Sequence, residues 1–141
     1  MEELNINRLK LLLLASFIFT LSSFIGAAAT CTVATDGTGN YATIQAAVDN
    51  ANSGDIIIVQ PGTYYENINI NKPGLKNLEL RSASGNAADT IIANYIGGHV
   101  ISVSYGDNLA IKGFTIRGAG NDTAGINMVG SHHCTIENNI F

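Results

Sequence analysis

A repeat of 25 residues constrains this chain more than any other feature of its sequence. When residues 99–116 are set over residues 124–141, Ile101 falls on Ile126, Val103 on Met128, Leu109 on Cys134, Ile111 on Ile136 and Ile116 on Phe141, and every pair is apolar. The polar positions between them coincide too, Ser102 with Asn127 and Lys112 with Glu137. Gly113 falls on Asn138; these residue types most readily take a left-handed backbone, so both copies are expected to bend sharply there. A looser echo at a shift of 31 places Leu78 on Leu109 and Leu80 on Ile111, with an enlarged turn over residues 83–88 to absorb the difference. A period near 25 with two or three short strands suits one coil of a parallel β-helix, where stacked coils share one interior that no single coil can bury. A leucine-rich repeat would need a dense leucine pattern that is absent here, and a β-sandwich would not hold so strict a register.

Composition agrees with an all-β chain. Of 141 residues, 46% are apolar and only 13% charged, too apolar for a disordered chain. Fifteen glycines against two prolines and no tryptophan mark frequent tight turns. The net charge is −4, and beyond residue 29 the cations Lys72, Lys76, Arg81, Lys112 and Arg117 are scattered, so nucleic acid is excluded as a partner.

Residues 1–29 read as a targeting segment that exports the chain to the periplasm, the cell surface or the medium. Arg8 and Lys10 precede an apolar run over residues 11–25, and Ala27 and Ala29 meet the small-residue rule for cleavage before Thr30. The competing reading is a retained anchor, since residues 11–29 are nearly long enough to span a bilayer. Ser16, Thr20, Ser22 and Ser23 dilute that run. Thr30 is a poor neighbour for lipidation of Cys31. Cys31 and Cys134 are the two cysteines of an exported chain, and the repeat places Cys134 inside the stack, as a buried free thiol rather than a disulfide partner.

Residues 30–54 are expected to form a cap: a strand over residues 32–35, a turn over 36–40, and a helix over 44–51. Thr43 is its N-cap, Ile44, Ala47, Val48 and Ala51 lie on one face, and Asn52-Ser53-Gly54 stops it. Coils fill residues 55–141, beginning with Ile56-Ile57-Ile58-Val59, an apolar run suited to a strand buried on both faces. Phe141 falls in mid-coil, so the solenoid is expected to be incomplete, part of a longer surface protein or open to self-association through its last coil.

Residues 32–48, Thr-Val-Ala-Thr-Asp-Gly-Thr-Gly-Asn-Tyr-Ala-Thr-Ile-Gln-Ala-Ala-Val, resemble the opening of pectin methylesterases, and Pro61-Gly62-Thr63-Tyr64-Tyr65-Glu66-Asn67-Ile68 continues the likeness. The wider group is the pectin-lyase-like superfamily of right-handed parallel β-helices. The later segments Ile111-Lys112-Gly113-Phe114-Thr115-Ile116 and Ile136-Glu137-Asn138-Asn139-Ile140-Phe141 are similar to repeats of the periplasmic copper-binding β-helix family and of prokaryotic surface proteins. The resemblance implies a fold that hosts esterases, lyases, hydrolases and non-catalytic binders.

The paired aspartates, glutamines and arginine of the esterases lie further along that family's chain than this sequence extends, so no catalytic residue carries over. The outward positions that the register predicts are Ser102, Ser104, Asn127 and Val129, none a carboxylate, and the first three are the candidate ligand-binding residues. Lys112 and Glu137 are expected to form a solvated cross-coil ion pair. His132-His133-Cys134 is a weak metal candidate, because neighbouring side chains of an extended segment point to opposite faces. Tyr64 and Tyr65 offer sugar-stacking rings but suit packing around the first coil better. Asn121-Asp122-Thr123 is a glycosylation sequon in a turn. These readings favour a non-catalytic surface or carbohydrate-binding module that calls for no cofactor and takes a polysaccharide or cell-envelope glycan as partner. The alternatives are a polysaccharide-active enzyme whose catalytic coils are missing, and a periplasmic metal-handling accessory.

Overall fold

A computed structural model describes residues 27–94, 97–118 and 123–141. Among these described residues eleven strands are formed: β1 (Thr30–Val33), β2 (Ile56–Val59), β3 (Gly62–Tyr65), β4 (Ile68–Ile70), β5 (Glu79–Ser82), β6 (Thr90–Ala93), β7 (Ile101–Ser104), β8 (Ala110–Lys112), β9 (Thr115–Arg117), β10 (Ile126–Val129) and β11 (Thr135–Glu137). One helix, α1 (Ile44–Asn50), stands between β1 and β2. The strands deal themselves in turn onto three parallel sheets. The first sheet runs β1-β2-β5-β8-β11, the second β3-β6-β9 and the third β4-β7-β10. This cyclic order, with every paired strand parallel, is a parallel β-helix.

The 25-residue register holds in the sheets, with Ile101 opposite Ile126 and Ile111 opposite Ile136. The echo at 31 is also real, pairing Leu80 with Ile111. Its extra length sits between β5 and β6, where residues 83–89 include a 3-10 turn, Ala87–Asp89; the next coil passes from β8 to β9 through Gly113 and Phe114 alone. Gly113 and Asn138 are both left-handed, as the repeat predicts, with φ of 77° and 56°.

Side chains alternate in and out along each strand, and the inward ones stack into rows that run down the axis. Cys31, Ile57, Leu80, Ile111 and Ile136 form one such row on the first sheet. Tyr64, Ile92 and Ile116 form another on the second. Ile57, Leu80, Ile111, Tyr64, Ile92 and Ile116 belong to one continuous core, with Cys31 packed against it and Ile136 partly exposed. The strand β2 departs from expectation. Ile57 and Val59 are fully buried, but Ile56 and Ile58 are half-buried. A β-helix sheet has no layer packed outside it, so only strand neighbours cover the outward face.

The N-terminal end is closed by residues that conspicuously carry the esterase resemblance. Strand β1 begins two residues earlier than its sequence suggests, because Thr30 already pairs with Ile56. Its outer edge is covered by the following turn: Tyr41 N–H donates to Thr32 O, Ala34 N–H donates to Tyr41 O, and Thr32 N–H donates to Asn40 Oδ1 at 2.8 Å. Gly39 is obligatory there, since a Cβ would lie 2.8 Å from Ala34 N and Thr32 O. Thr43 caps α1, accepting from Ala46 N–H, and Ala51 ends it as the C-cap. Two further orphan amides at the helix start, Ile44 N–H and Gln45 N–H, donate to the two carboxylate oxygens of Glu66 at 2.9 Å. The Tyr64 hydroxyl, on a side chain only 2% exposed, shares its one proton between Gln60 O at 2.9 Å and Val33 O at 3.2 Å. Gln45 reaches the edge of β4, accepting from Asn69 N–H and donating to Asn69 O.

Two stability predictions follow from this packing. Leu80, fully buried in the middle of its row, should cost about 2–5 kcal/mol on mutation to Ala. Ile136, 37% exposed in the last coil, should cost much less, and denaturant melts compare the two. Glu66→Gln leaves one helix amide facing a donor, and should lower stability by about 1–3 kcal/mol.

Candidate functional site

The candidate ligand-binding residues lie on the outward face of the third sheet. In the ladder, Asn69, Ser102 and Asn127 stand in one row, and Ser104 and Val129 in the next. Successive coils repeat at about 4.8 Å, so the row is a file of amide and hydroxyl groups, each able to donate and to accept. Among the described residues, no carboxylate lies on β4, β7 or β10.

Sequence reasoning missed the residue that borders this face. Tyr105 follows Ser104 and leaves the strand with φ of 58°. The other described non-glycine residues with positive φ are Asn77, Asn108, His133 and Asn138, types that tolerate this region, whereas a bulky ring there is an outlier. Tyr105 is nevertheless 65% exposed. Its amide donates to Val129 O at 2.9 Å, and its ring lies over Gly130, where a Cβ would meet Cδ1 at 3.0 Å. The repeat carries a signal for this arrangement, because Tyr105 falls on Gly130 at a shift of 25. Of the other described tyrosines, Tyr41 is half-buried in the cap, Tyr64 is core, and Tyr65, expected to pack around the first coil, is instead exposed on the second sheet.

The histidine pair sits in the turn between the third and first sheets. Lys76, Asp107 and His132 stack in one row. Asn77, Asn108 and His133, all left-handed, stack in the next, and Asn108 Nδ2 donates to Asn77 Oδ1 at 2.6 Å. His133 Nδ1 lies 3.4 Å from Asp107 Oδ1, and Lys76 Nζ lies 3.3 Å from Asp107 Oδ2. Hydrogen bonding by His133, and then by Lys76, holds the Asp107 carboxyl below its ordinary range. Cys134 turns inward against the core, and its Sγ lies 3.4 Å from His132 O. The rings of His132 and His133 are 6.4 Å apart and tilted by 42°. The three side chains of this motif therefore diverge, and among the described residues no three His, Cys, Asp or Glu side chains gather in a metal-binding group.

Cys31 and Cys134 are both free and half-buried. Cys31 lies on β1 and Cys134 immediately precedes β11, the opposite outermost strands of the first sheet, four strand steps or roughly 19 Å apart, against a Cα span of about 7 Å at most for a disulfide. Cys134 is less buried than the repeat implies, because no described coil lies beneath it. Asn121 of the sequon lies outside the described residues.

The first sheet carries a charged row on its outer face. Lys112 Nζ lies 3.0 Å from Glu137 Oε1, the pair expected from the repeat, and also 3.9 Å from Glu79 Oε1. Arg81 Nε is 3.7 Å from the same Glu79 oxygen. The hydrogen bond with Glu137 raises the Lys112 pKa. Beside this row, a shallow cleft of about 270 Å³ runs between Arg81, Ser84, Lys112 and Asn138. Its two cations already face carboxylates, so the cleft is a poor anion receptor.

No family model matches the chain. A cell surface glycoprotein of Methanothermus fervidus is 36% identical over 132 residues, an alignment covering 92% of this chain and 20% of that protein. The chain thus spans about a fifth of this relative's length. A pectin methylesterase from carrot superposes with a TM-score of 0.63 at 22% identity, over 82% of this chain and 39% of the esterase. An alginate lyase from Paenibacillus sp. str. FPU-7 gives 0.58 at 22% identity, over 79% of this chain and 36% of the lyase. These two likenesses establish the fold, and the parallel β-helix expected from the sequence is the one observed.

The lowered Asp107 carboxyl gives a pH prediction with a definite sign. A carboxyl depressed in the folded state contributes stability above the unfolded-state value, near 4, and loses it as pH falls through the folded-state value. Thermal melts from neutral to about pH 2 should show this acid-side loss. It should be reduced in Asp107→Asn; an unchanged slope would sink the assignment.

Proposed function

We propose that this chain is the β-helix portion of an exported cell-surface protein, and that the third sheet's outward face holds an envelope glycan without transforming it. Tyr105 is the observation that carries the reading. A ring held in a left-handed conformation costs roughly 1–2 kcal/mol of backbone strain. Such strain at an exposed aromatic, which gains little by burial, points to a function for the ring. A flat, accessible phenol face beside a file of hydroxyls and amides suits a sugar, whose ring offers an apolar C–H face and a rim of hydroxyls. The row formed by Asn69, Ser102 and Asn127 supplies no acid or base, which supports holding over chemistry.

The surface assignment draws on the named relative. The shared alignment covers more of this chain than residues 30–141 could supply, so it reaches into the N-terminal segment read as an export signal.

For the glycan site, titration calorimetry against cell-envelope polysaccharide fragments should detect saturable binding. Tyr105→Asn keeps the left-handed backbone and removes the ring. It should weaken binding at least about tenfold, or about 1.4 kcal/mol, while leaving the melting temperature unchanged or higher. Full affinity in this variant would overturn the site, and turnover of pectin or alginate above background would overturn the non-catalytic reading.

A further inference from the structure

Residues 26–30, Gly-Ala-Ala-Ala-Thr, contain two peptide bonds that satisfy the small-residue rule of export processing. Ala27 and Ala29 specify a cut before Thr30, and Gly26 and Ala28 specify one before Ala29. Sequence does not separate them, but the fold treats the two products differently. Ala29 is already part of the first sheet's ladder: its carbonyl accepts from Ile56 N–H at 2.8 Å. Its amide donates at 2.8 Å to Oδ1 of Asp55, an acid only 8% exposed. The other oxygen, Oδ2, accepts from Asn52 N–H at 2.8 Å. Ala27 and Ala28 lie exposed ahead of this point.

We propose that processing falls between Ala28 and Ala29, and that Asp55 is the seat for the N-terminal ammonium so created. Water adds across the Ala28–Ala29 peptide bond under the host's export peptidase; the carboxylate leaves on Ala28 and the ammonium stays on Ala29. The new charge arises on the nitrogen that already faces Asp55, turning a neutral hydrogen bond into a charge-assisted one. A cut before Thr30 would strip Asp55 of its Ala29 donor and Ile56 N–H of its acceptor, leaving a nearly buried carboxylate with less compensation. The inference rests on the export reading above, and its test separates the two.

The full chain, expressed with its own leader in an exporting host, is recovered from outside the cytoplasm and its N-terminus read by intact mass. A product beginning at Ala29 is expected. One beginning at Thr30 overturns this inference alone, and a product retaining the whole leader overturns both it and the processed-export reading. Ala28→Leu should block or divert processing, whereas Ala29→Leu should still be cut before residue 29; the reverse pattern overturns the assignment. Selective acetylation of the α-amino group tests the seat itself. It should lower the melting temperature of the exported protein by a few degrees and leave Asp55→Asn nearly unaffected. An equal fall in both would show that the ammonium does not sit on Asp55.

Discussion

No coil of this chain can satisfy its own backbone. Every strand amide and carbonyl points along the stack, so its hydrogen bonds go to the coil above and the coil below. The inward side chains follow the same axis, since Ile57, Leu80 and Ile111 each cover the next. The peculiarities of the molecule are responses to this one requirement. The left-handed row Asn77, Asn108 and His133 exists because each coil must turn at the same point to keep its rungs aligned. The seven residues 83–89 are tolerated because they stay tied to the stack, Ala83 N–H donating to Val59 O and Ala87 O accepting from the Thr115 hydroxyl, before β6 begins.

The same requirement explains which parts were legible in the sequence. From His99 onward two coils have equal length, so their apolar positions superpose by simple shifting, and the Lys112–Glu137 pair came with them. Earlier coils differ in length. Arg81 and Glu79 were therefore not recognised as neighbours of Lys112, although the 31-residue echo places Arg81 on it. The part played by Glu66 was invisible because its contacts with Ile44 and Gln45 span 22 and 21 residues and follow no period. Tyr105 was missed for another reason: nothing in a tyrosine announces a left-handed backbone, and only the glycine one period later, Gly130, hints that room is left for a ring.

The three outward faces have diverged while the interior stayed uniform. The first sheet bears a row in which Lys112 is shared by two glutamates. The turn beside it stacks Lys76, Asp107 and His132 with Asn77, Asn108 and His133; Asp107 serves Lys76 and His133, and Asn108 serves Asn77. The third sheet shows hydroxyls, amides and one strained ring. The residues that resemble pectin methylesterases lie elsewhere, in the cap, where Glu66, Tyr64, Asn40 and Gly39 have structural tasks. That likeness is therefore a record of how such a stack begins, and is compatible with any chemistry or none further along.

The cap also gives the stack a polarity. Helix α1 with Gln45 covers the edge of β4, and the turn ending at Tyr41 covers the edge of β1. Strands cannot be added beyond β1 or β4, so growth on the other side lengthens the rod by about 4.8 Å per strand without disturbing those already laid down. Such an architecture behaves as a ruler with a fixed zero. A duplicated or deleted coil changes how far the far end stands from the cap while leaving each existing rung at its own mark.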